Sequence, residues 1–254
     1  KCPQLKKYNR SWFFDKTKTM LEDKKKLFGA IPRLAVVGVS NWLTNIAKQA
    51  PVFKKAKEIK RIYNWIDLDK FKPVFSDEIR NKLGLSDKKV IFCVASLWSY
   101  DKGLKTVLKL SEKLSEKEKI VMVGKFPASI QLNDKIISVP STDSIEDLVE
   151  LYSMADVFFQ PSLEETFGKV SAEALSCGTP VVCFNSTANP EIVGEGCGSS
   201  VAVGDIDGLY NEIQNILSKD KSVYSKDCRE FAKKNFNMEK NLPEYMQLFE
   251  KISK

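Results

Sequence analysis

Two glutamates flank a turn suited to an anion in residues 161–182, PSLEETFGKVSAEALSCGTPVV. Gly168 lets the backbone approach a ligand closely, because it carries no Cβ. The helix predicted to follow has unpaired amides from about Lys169 to Ala172, at the positive end of its dipole, and such a helix start suits phosphate. Glu165 and Glu173 would repel a phosphate. Because ionised carboxylates are strong hydrogen-bond acceptors, hydroxyl groups of a ribose and a sugar ring are their natural partners.

A purely structural interpretation also fits this spacing. A loop, a helix and a strand with Gly178-Thr179-Pro180 as the stop could be one ordinary turn of an α/β sheet. Glutamates near a helix start are favoured by the helix dipole alone. The spacing by itself leaves both interpretations open.

The longer pattern resembles the donor-site signature of family 4 glycosyltransferases, the glycosyl transferases group 1. The resemblance is carried by Glu165-Thr-Phe-Gly, by Glu173 eight positions later, and by the stretches ADVFFQPS (155–162) and ALSCGTPVV (174–182). It implies that Glu173 holds the ribose hydroxyls of a nucleotide sugar and that Glu165 holds the sugar hydroxyls. It also places Phe167, Gly168, Lys169 and Val170 at the bound donor.

A second loop follows the predicted strand KVIFCVA, residues 89–95, and leads through Lys102-Gly103 into a helix. A lysine near a helix start can place a point charge on a diphosphate, although a surface lysine beside a helix cap would look the same. In relatives this loop reads Gly-Arg-Leu…Lys-Gly, with both cations on the diphosphate. Here Ser96 stands at the arginine position and Lys102 matches the lysine. The predicted catalytic residues are Glu165 and Lys102.

Two further positions are predicted to border the donor. Gly124 follows the next strand and would present its backbone to the base. Glu191 follows a loop that in relatives often contains a Gly-Gly pair lining the sugar end; this chain keeps the glutamate but has Ser186, Thr187 and Ala188 before it.

Strands and helices alternate over residues 88–218, which predicts an α/β fold with a Rossmann-like, doubly wound parallel sheet and its ligand at the carboxyl ends of the strands. The resemblance implies the C-terminal domain of a GT-B enzyme with a partial N-terminal domain. The expected divisions are 1–73 as the end of the acceptor-side domain, 74–235 as the donor-binding domain, and 236–254 as a helix crossing back. Because the sequence starts at Lys1 and relatives have several βα units before this point, we expect part of a longer enzyme.

Composition narrows the chemistry further. The 254 residues include no histidine, which removes the commonest general base and metal ligand. Six cysteines without a CxxC pair indicate reduced core thiols and a cytoplasmic setting. There is no Asp-x-Asp feature on a strand end, so we expect neither a metal nor another cofactor. No apolar run approaches the ~18 residues of a membrane span.

Positive charge is concentrated near the N-terminus. Residues 1–72 hold 18 Lys and Arg against 6 Asp and Glu, whereas the remainder holds 22 against 27. This basic part could face an anionic membrane surface or an acidic acceptor, or it could be a solvated lysine-rich surface. It contains no recognisable nucleic-acid motif, so we expect no nucleic-acid partner.

The resemblance implies transfer of a sugar from a nucleoside diphosphate to a hydroxyl of a carbohydrate or lipid-linked acceptor, with retention, in cell-surface polysaccharide synthesis. The pattern resembles members of the family from polysaccharide and colanic-acid-type biosynthesis. A non-catalytic nucleotide-sugar-binding subunit is the main alternative. An epimerase or phosphorylase of the same fold and a basic nucleic-acid-binding protein are further alternatives, but no specific feature favours them.

Overall fold

The computed structural model describes residues 14–254, and these form two compact units. The first comprises the described residues up to Ile62 together with Pro243–Lys254, and the second comprises Tyr63–Leu242. The run Trp12-Phe13-Phe14 predicts an aromatic anchor; Trp12 and Phe13 lie outside the described residues, and Phe14 is exposed. The predicted domain boundaries, after residues 73 and 235, stay predictions.

The first unit is a small α/β arrangement around two parallel strands. Its elements are α1 (Thr17–Gly29), β1 (Ala35–Gly38), α2 (Asn41–Gln49), a 3₁₀ turn (Pro51–Phe53) and β2 (Glu58–Arg61). The pair Ser40-Asn41 predicts a helix N-cap, and the structure confirms it: the Ser40 Oγ accepts a hydrogen bond from the Leu43 N–H at 3.1 Å at the start of α2. The chain from Pro243 onward belongs to this unit, where Glu244 pairs with Lys60 at 2.8 Å.

The second unit contains the remaining elements, which alternate along the chain nearly as predicted. They are α3 (Glu78–Lys82), β3 (Lys89–Leu97), α4 (Leu104–Ser111), β4 (Glu118–Lys125), β5 (Ile136–Val139), α5 (Ile145–Met154), β6 (Val157–Gln160), α6 (Lys169–Ser176), β7 (Val181–Phe184), α7 (Asn189–Ile192), β8 (Gly198–Val201), α8 (Ile206–Leu217), α9 (Ser222–Asn235) and α10 (Met238–Ser253), which continues into the first unit. The short helix α7 was not predicted.

The six strands form one parallel sheet in the order β5-β4-β3-β6-β7-β8. Along β3, Ile91 and Cys93 face the layer that contains α4 and α8, whereas Phe92 packs against Tyr152 of α5 on the opposite face. Helices therefore cover both faces, as a parallel sheet requires. The predicted α/β fold with a Rossmann-like, doubly wound sheet is confirmed.

Buried thiols agree with the prediction of reduced core cysteines. The five cysteines of the described chain, at positions 93, 177, 183, 197 and 228, are free and buried. Cys2 lies outside the described residues. Burial raises the pKa of Cys93, Cys177 and Cys183, the last two to about 12, so these thiols stay protonated and inert.

The pattern STDSIEDLVELYSM, residues 141–154, predicts an amphipathic helix from Ser141, but α5 begins at Ile145. The reason is a capping box at Ser144, whose Oγ accepts from the Asp147 N–H at 3.1 Å while the Asp147 carboxylate accepts from the Ser144 N–H at 3.1 Å. The sequence offers several hydroxyl residues before this helix, and the partner at Asp147 selects Ser144. Among the helices of residues 14–254, none combines the length and apolar character that crossing a membrane requires.

Candidate functional site

The sheet has one point at which the chain reverses its direction of winding. From β3 the chain moves outward to β4 and β5, then returns to β6 beside β3 and moves outward the other way. In doubly wound sheets, ligands bind outside the carboxyl ends of the strands at such a switch point. The loops that leave β3 and β6 there are the two that the sequence singles out.

These two loops are in direct contact. The Leu163 N–H donates to the Asp101 carbonyl at 3.0 Å. Gly103 has φ +74°, and a Cβ added there would lie 2.1 Å from the carbonyl oxygen of Pro161. A glycine is needed at this position because only a residue without a Cβ allows the two backbones to approach so closely.

The contact brings Lys102 and Glu165 together as an ion pair, 2.7 Å between Nζ and Oε1. The glutamate side chain is 18% exposed and the lysine 43%, so the pair lies at the edge of the site. The loop after β7 fixes the backbone of Glu165. The Glu165 N–H donates to Thr187 Oγ1 at 2.9 Å, and the Glu165 carbonyl accepts from the Ala188 N–H at 3.2 Å. The two predicted catalytic residues are therefore neighbours.

Helix α6 begins after Gly168, which has φ +82°, and a Cβ added there would lie no closer than 3.8 Å to another atom. The Ser171 and Ala172 N–H groups donate to the Gly168 carbonyl. Within residues 14–254 the N–H groups of Lys169 and Val170 have no acceptor. Two free amides at the positive end of a helix dipole are the features that bind a phosphate group.

Glu173 lies one turn inside α6, and its side chain is 7% exposed. Its Oε2 accepts from the Tyr152 hydroxyl at 2.9 Å, and its Oε1 lies 3.5 Å from Lys169 Nζ. Burial raises the pKa of the Glu173 carboxyl, and the hydrogen bond from Tyr152 and the charge of Lys169 oppose that rise. Sequence reasoning missed Tyr152, which occupies an ordinary apolar position of an amphipathic helix.

The predicted site residues Phe167 and Glu191 are both held by Tyr63. The Phe167 side chain is buried and packs on Tyr63 and Phe236, with ring centroids 6.0 and 5.5 Å apart. Only the backbone of Phe167 is therefore available to a ligand. The Tyr63 hydroxyl donates to Glu191 Oε1 at 2.7 Å. No pattern in the sequence indicates this hydrogen bond, because Tyr63 has the residue type and position expected at the end of a strand.

Ser96 lies near the end of β3, one of the two strands at the switch point, and Gly124 lies near the end of β4, the next strand outward. Ser96 is exposed. Gly124 has φ +128°, and a Cβ there would lie 1.8 Å from the Ala95 carbonyl oxygen. The close approach of β3 and β4 thus accounts for the glycine without any ligand, and its predicted contact with a base stays a prediction.

A pocket of about 620 Å³ adjoins the start of α6. Lys169 lies on its wall, and so does Ile145 at the start of α5. The other lining residues follow Tyr63 or lie near the start of α10: Trp65, Ile66, Asp67, Leu68, Asp69, Lys70, Phe71, Asn237, Met238 and Glu239. In the part of the chain that the structure describes, no cluster of three or more His, Cys, Asp or Glu side chains could hold a metal ion.

The parallel sheet and the loops at its switch point define a Rossmann-like α/β domain. Comparison with known proteins identifies its family. Residues 75–238 match the family model described as glycosyl transferases group 1. The chain belongs to this family.

Individual relatives are distant and longer. N-acetyl-alpha-D-glucosaminyl L-malate synthase of Bacillus anthracis is 24% identical over 87% of this chain and 61% of its own length. Sucrose-phosphate synthase of Thermosynechococcus elongatus superposes with a TM-score of 0.76 at 24% identity, covering 98% of this chain and 65% of that one. HepE of Anabaena, solved in complex with UDP and glucose, superposes with a TM-score of 0.75 at 20% identity, covering 92% and 68%. The matches cover 61–68% of the length of these three proteins, so the chain spans only part of each.

Proposed function

We propose that this chain carries the donor site of a glycosyltransferase that moves a sugar from a nucleoside diphosphate to a hydroxyl group, with retention at the anomeric carbon. The observation that carries the proposal is the Lys102–Glu165 pair, which lies at the switch point where α6 opens with two unpaired amides. Family membership and the UDP and glucose bound by HepE support it.

In this proposal the diphosphate takes the cationic part of the site. Lys102 and the amides of Lys169 and Val170 would stabilise the charge that develops on the departing phosphate. Glu165 would accept hydrogen bonds from sugar hydroxyls, and Glu173 from the ribose. Donor binding would then exchange the Lys102–Glu165 pair for two pairs with the ligand, so neither charge is left without a partner.

The proton of the acceptor hydroxyl needs a base, and this chain has no histidine. In a front-face retaining reaction, the departing phosphate itself takes that proton. The positive charge that the leaving group requires comes from Lys102 and the helix amides, so we propose a reaction without metal or other cofactor. Transfer that persists unchanged in excess EDTA would agree with this, and loss of transfer would contradict it.

The acceptor is proposed to be a carbohydrate or lipid-linked hydroxyl in cell-surface polysaccharide synthesis, on the cytoplasmic side of a membrane. Helix α1 supports a peripheral contact, because it carries several lysines and none of its residues is buried; Leu27 is 69% exposed. Co-sedimentation with phosphatidylglycerol vesicles that disappears in phosphatidylcholine would agree with an electrostatic contact.

A non-catalytic donor-binding subunit is the second candidate. It is favoured by Ser96, which leaves the site with one of the two cations that the family pattern places on the diphosphate. Such a subunit would bind a nucleotide sugar but would neither transfer nor hydrolyse it. Product release from a radiolabelled donor separates the two candidates.

Calorimetric titration with UDP-glucose, GDP-mannose and ADP-glucose tests the donor site itself. The proposal predicts saturable binding of one donor by the wild type and its loss in Glu173→Ala. Glu112→Ala, which changes an exposed glutamate at the end of α4, is the matched control and should bind normally. Binding that is equally strong in Glu173→Ala would refute the assignment of this carboxylate.

A further inference from the structure

Glu173 is a nearly buried carboxylate whose two oxygens have different surroundings. Oε2 accepts from the Tyr152 hydroxyl at 2.9 Å, which is normal hydrogen-bond geometry. Oε1 is 3.5 Å from Lys169 Nζ, and that lysine side chain is 66% exposed. An ionised carboxylate can accept several hydrogen bonds, so Oε1 retains capacity for a ligand hydroxyl beside the exposed lysine.

Tyr152 is itself held rigidly. Its ring is fully buried and meets Phe92 edge-on, with centroids 5.1 Å apart. Its carbonyl accepts from Thr179 Oγ1 at 2.6 Å, so the backbone is fixed as well as the ring. The threonine belongs to the Gly178-Thr179-Pro180 stop after α6, and the tyrosine to α5. This hydrogen bond therefore ties the two helices together behind the carboxylate.

The same contacts govern the titration of Glu173. Burial raises its pKa, and the Tyr152 hydrogen bond is the largest effect opposing that rise, ahead of Lys169. The pKa of Tyr152 is raised well above its usual value, chiefly by burial, so its hydroxyl remains a donor at any working pH. The other titratable group nearby is the buried thiol of Cys177. On α9, which packs against α6, Arg229 donates instead to the Ser176 carbonyl at 2.9 Å.

We propose that Tyr152, supported by Thr179, is a positioning residue: it holds Oε2 of an ionised Glu173, so that Oε1 is presented to the ribose hydroxyls of the donor. This rests on the proposed function, which assigns Glu173 to the ribose. The tyrosine acts through the glutamate and makes no contact with the donor itself.

The test compares ribose with deoxyribose in wild type, Tyr152→Phe and Tyr224→Phe. UDP, GDP and ADP are titrated beside their 2′-deoxy and 3′-deoxy counterparts by calorimetry. Hydrogen bonds to a charged group are strong, so the wild type should prefer the ribonucleotide by about tenfold or more. Tyr152→Phe should reduce this preference to less than about threefold, because its carboxylate is no longer held in place. Tyr224→Phe removes the hydroxyl of a tyrosine that packs against the hydrophobic cluster of α4 and α8 and does not donate to Glu173, so it should behave as the wild type.

A second measurement needs no ligand. The carboxyl ¹³C resonance of Glu173 is followed through a pH titration in the same three proteins, with thermal unfolding to confirm that each is folded. Removing the tyrosine hydroxyl removes an effect that stabilises the ionised form. The midpoint should therefore move to higher pH in Tyr152→Phe and stay in place in Tyr224→Phe. As the solution is acidified, nucleotide binding by Tyr152→Phe should begin to weaken at a higher pH than binding by the wild type.

The outcomes distinguish the positioning role of Tyr152 from the proposed function of the donor site. An unchanged Glu173 midpoint in Tyr152→Phe, or an undiminished ribose preference, would overturn the positioning role. A wild type that binds none of the three diphosphates, or binds without ribose preference, would instead overturn the proposed function, and the ribose assignment would fall with it. A shifted midpoint together with a lost ribose preference would support both.

Discussion

Helices α4 and α6 start in the same way but use their starts differently. Each follows a glycine in the left-handed region, Gly103 and Gly168. At α4 no space remains beside the glycine, because the Pro161 carbonyl lies against Gly103. The Leu104 N–H already donates to the Ser99 carbonyl at 3.1 Å. At α6 an added Cβ would find no atom closer than 3.8 Å.

The difference shows how one local device can serve either packing or binding. The start of α4 is closed by the neighbouring loop, and its contribution to a ligand is the side chain of Lys102. The start of α6 is open, and its contribution is the backbone amides of Lys169 and Val170. A glycine pattern in the sequence does not distinguish the two, because the distinction depends on what the rest of the fold places in front of each glycine.

Gly103→Ala should give the largest effect and tests the closed start directly. Its Cβ would strike a backbone carbonyl, so we expect a loss of at least ~3 kcal/mol in the free energy of unfolding. Gly168→Ala, the matched control, meets only the cost of left-handed backbone, roughly 1–2 kcal/mol. Urea denaturation of both variants measures the difference. Equal losses would show that the two starts are alike.

Lys102→Met examines what the closed start offers to a ligand. Removing one stabilising charge from a leaving group typically costs roughly 100-fold or more in rate, so transfer should fall by that order. Stability should change by less than about 1 kcal/mol, because the Lys102–Glu165 pair is partly exposed. Lys105→Met removes an exposed lysine of the same helix and should leave transfer intact. A similar loss in both variants would point to general surface charge rather than this site.

The two helix starts could be predicted from the sequence, but the side-chain contacts around them could not. The cap at Ser40 before α2 involves neighbouring residues and was predicted correctly, whereas the start of α5 was predicted too early. The ion pair of Lys102 with Glu165 and the hydrogen bond of Tyr63 to Glu191 join residues far apart in the chain, and single-sequence patterns carry no information about such pairs. Tyr152 was missed because a buried aromatic on a helix predicts core packing, whatever its hydroxyl does.

Glu173→Gln tests how much the buried carboxylate in α6 lowers the free energy of unfolding. A pKa raised by folding means that the folded chain holds this proton more tightly than the unfolded chain does. The contribution of Glu173 to stability therefore falls as pH rises from its unfolded to its folded pKa, and stays low above that. Glutamine should raise stability at pH 7 by on the order of 1 kcal/mol, while nucleotide binding weakens. Thermal unfolding from pH 4 to pH 8 should show this advantage fading in acid, and an advantage independent of pH would contradict the reasoning.

Ser96→Arg should have the smallest effect and the opposite sign. It restores a cation at the end of β3, beside the closed start, where Ser96 is exposed and has room for a longer side chain. A solvent-accessible charge contributes up to about 1 kcal/mol, so donor affinity should improve by up to about fivefold. Ser96→Gln controls for the added bulk. A weaker donor affinity in the arginine variant would place the diphosphate elsewhere.

The amides at the two helix starts give the most direct test of the central claim. In ¹⁵N-labelled protein, titration with UDP, GDP and ADP should shift the Lys169 and Val170 N–H resonances strongly downfield for the nucleotide that binds, as expected for amides that gain a phosphate acceptor. The Leu104 N–H, already bonded to Ser99, should shift little. Saturable binding that leaves Lys169 and Val170 unmoved would contradict the account, because the open start of α6 would then not be the phosphate site.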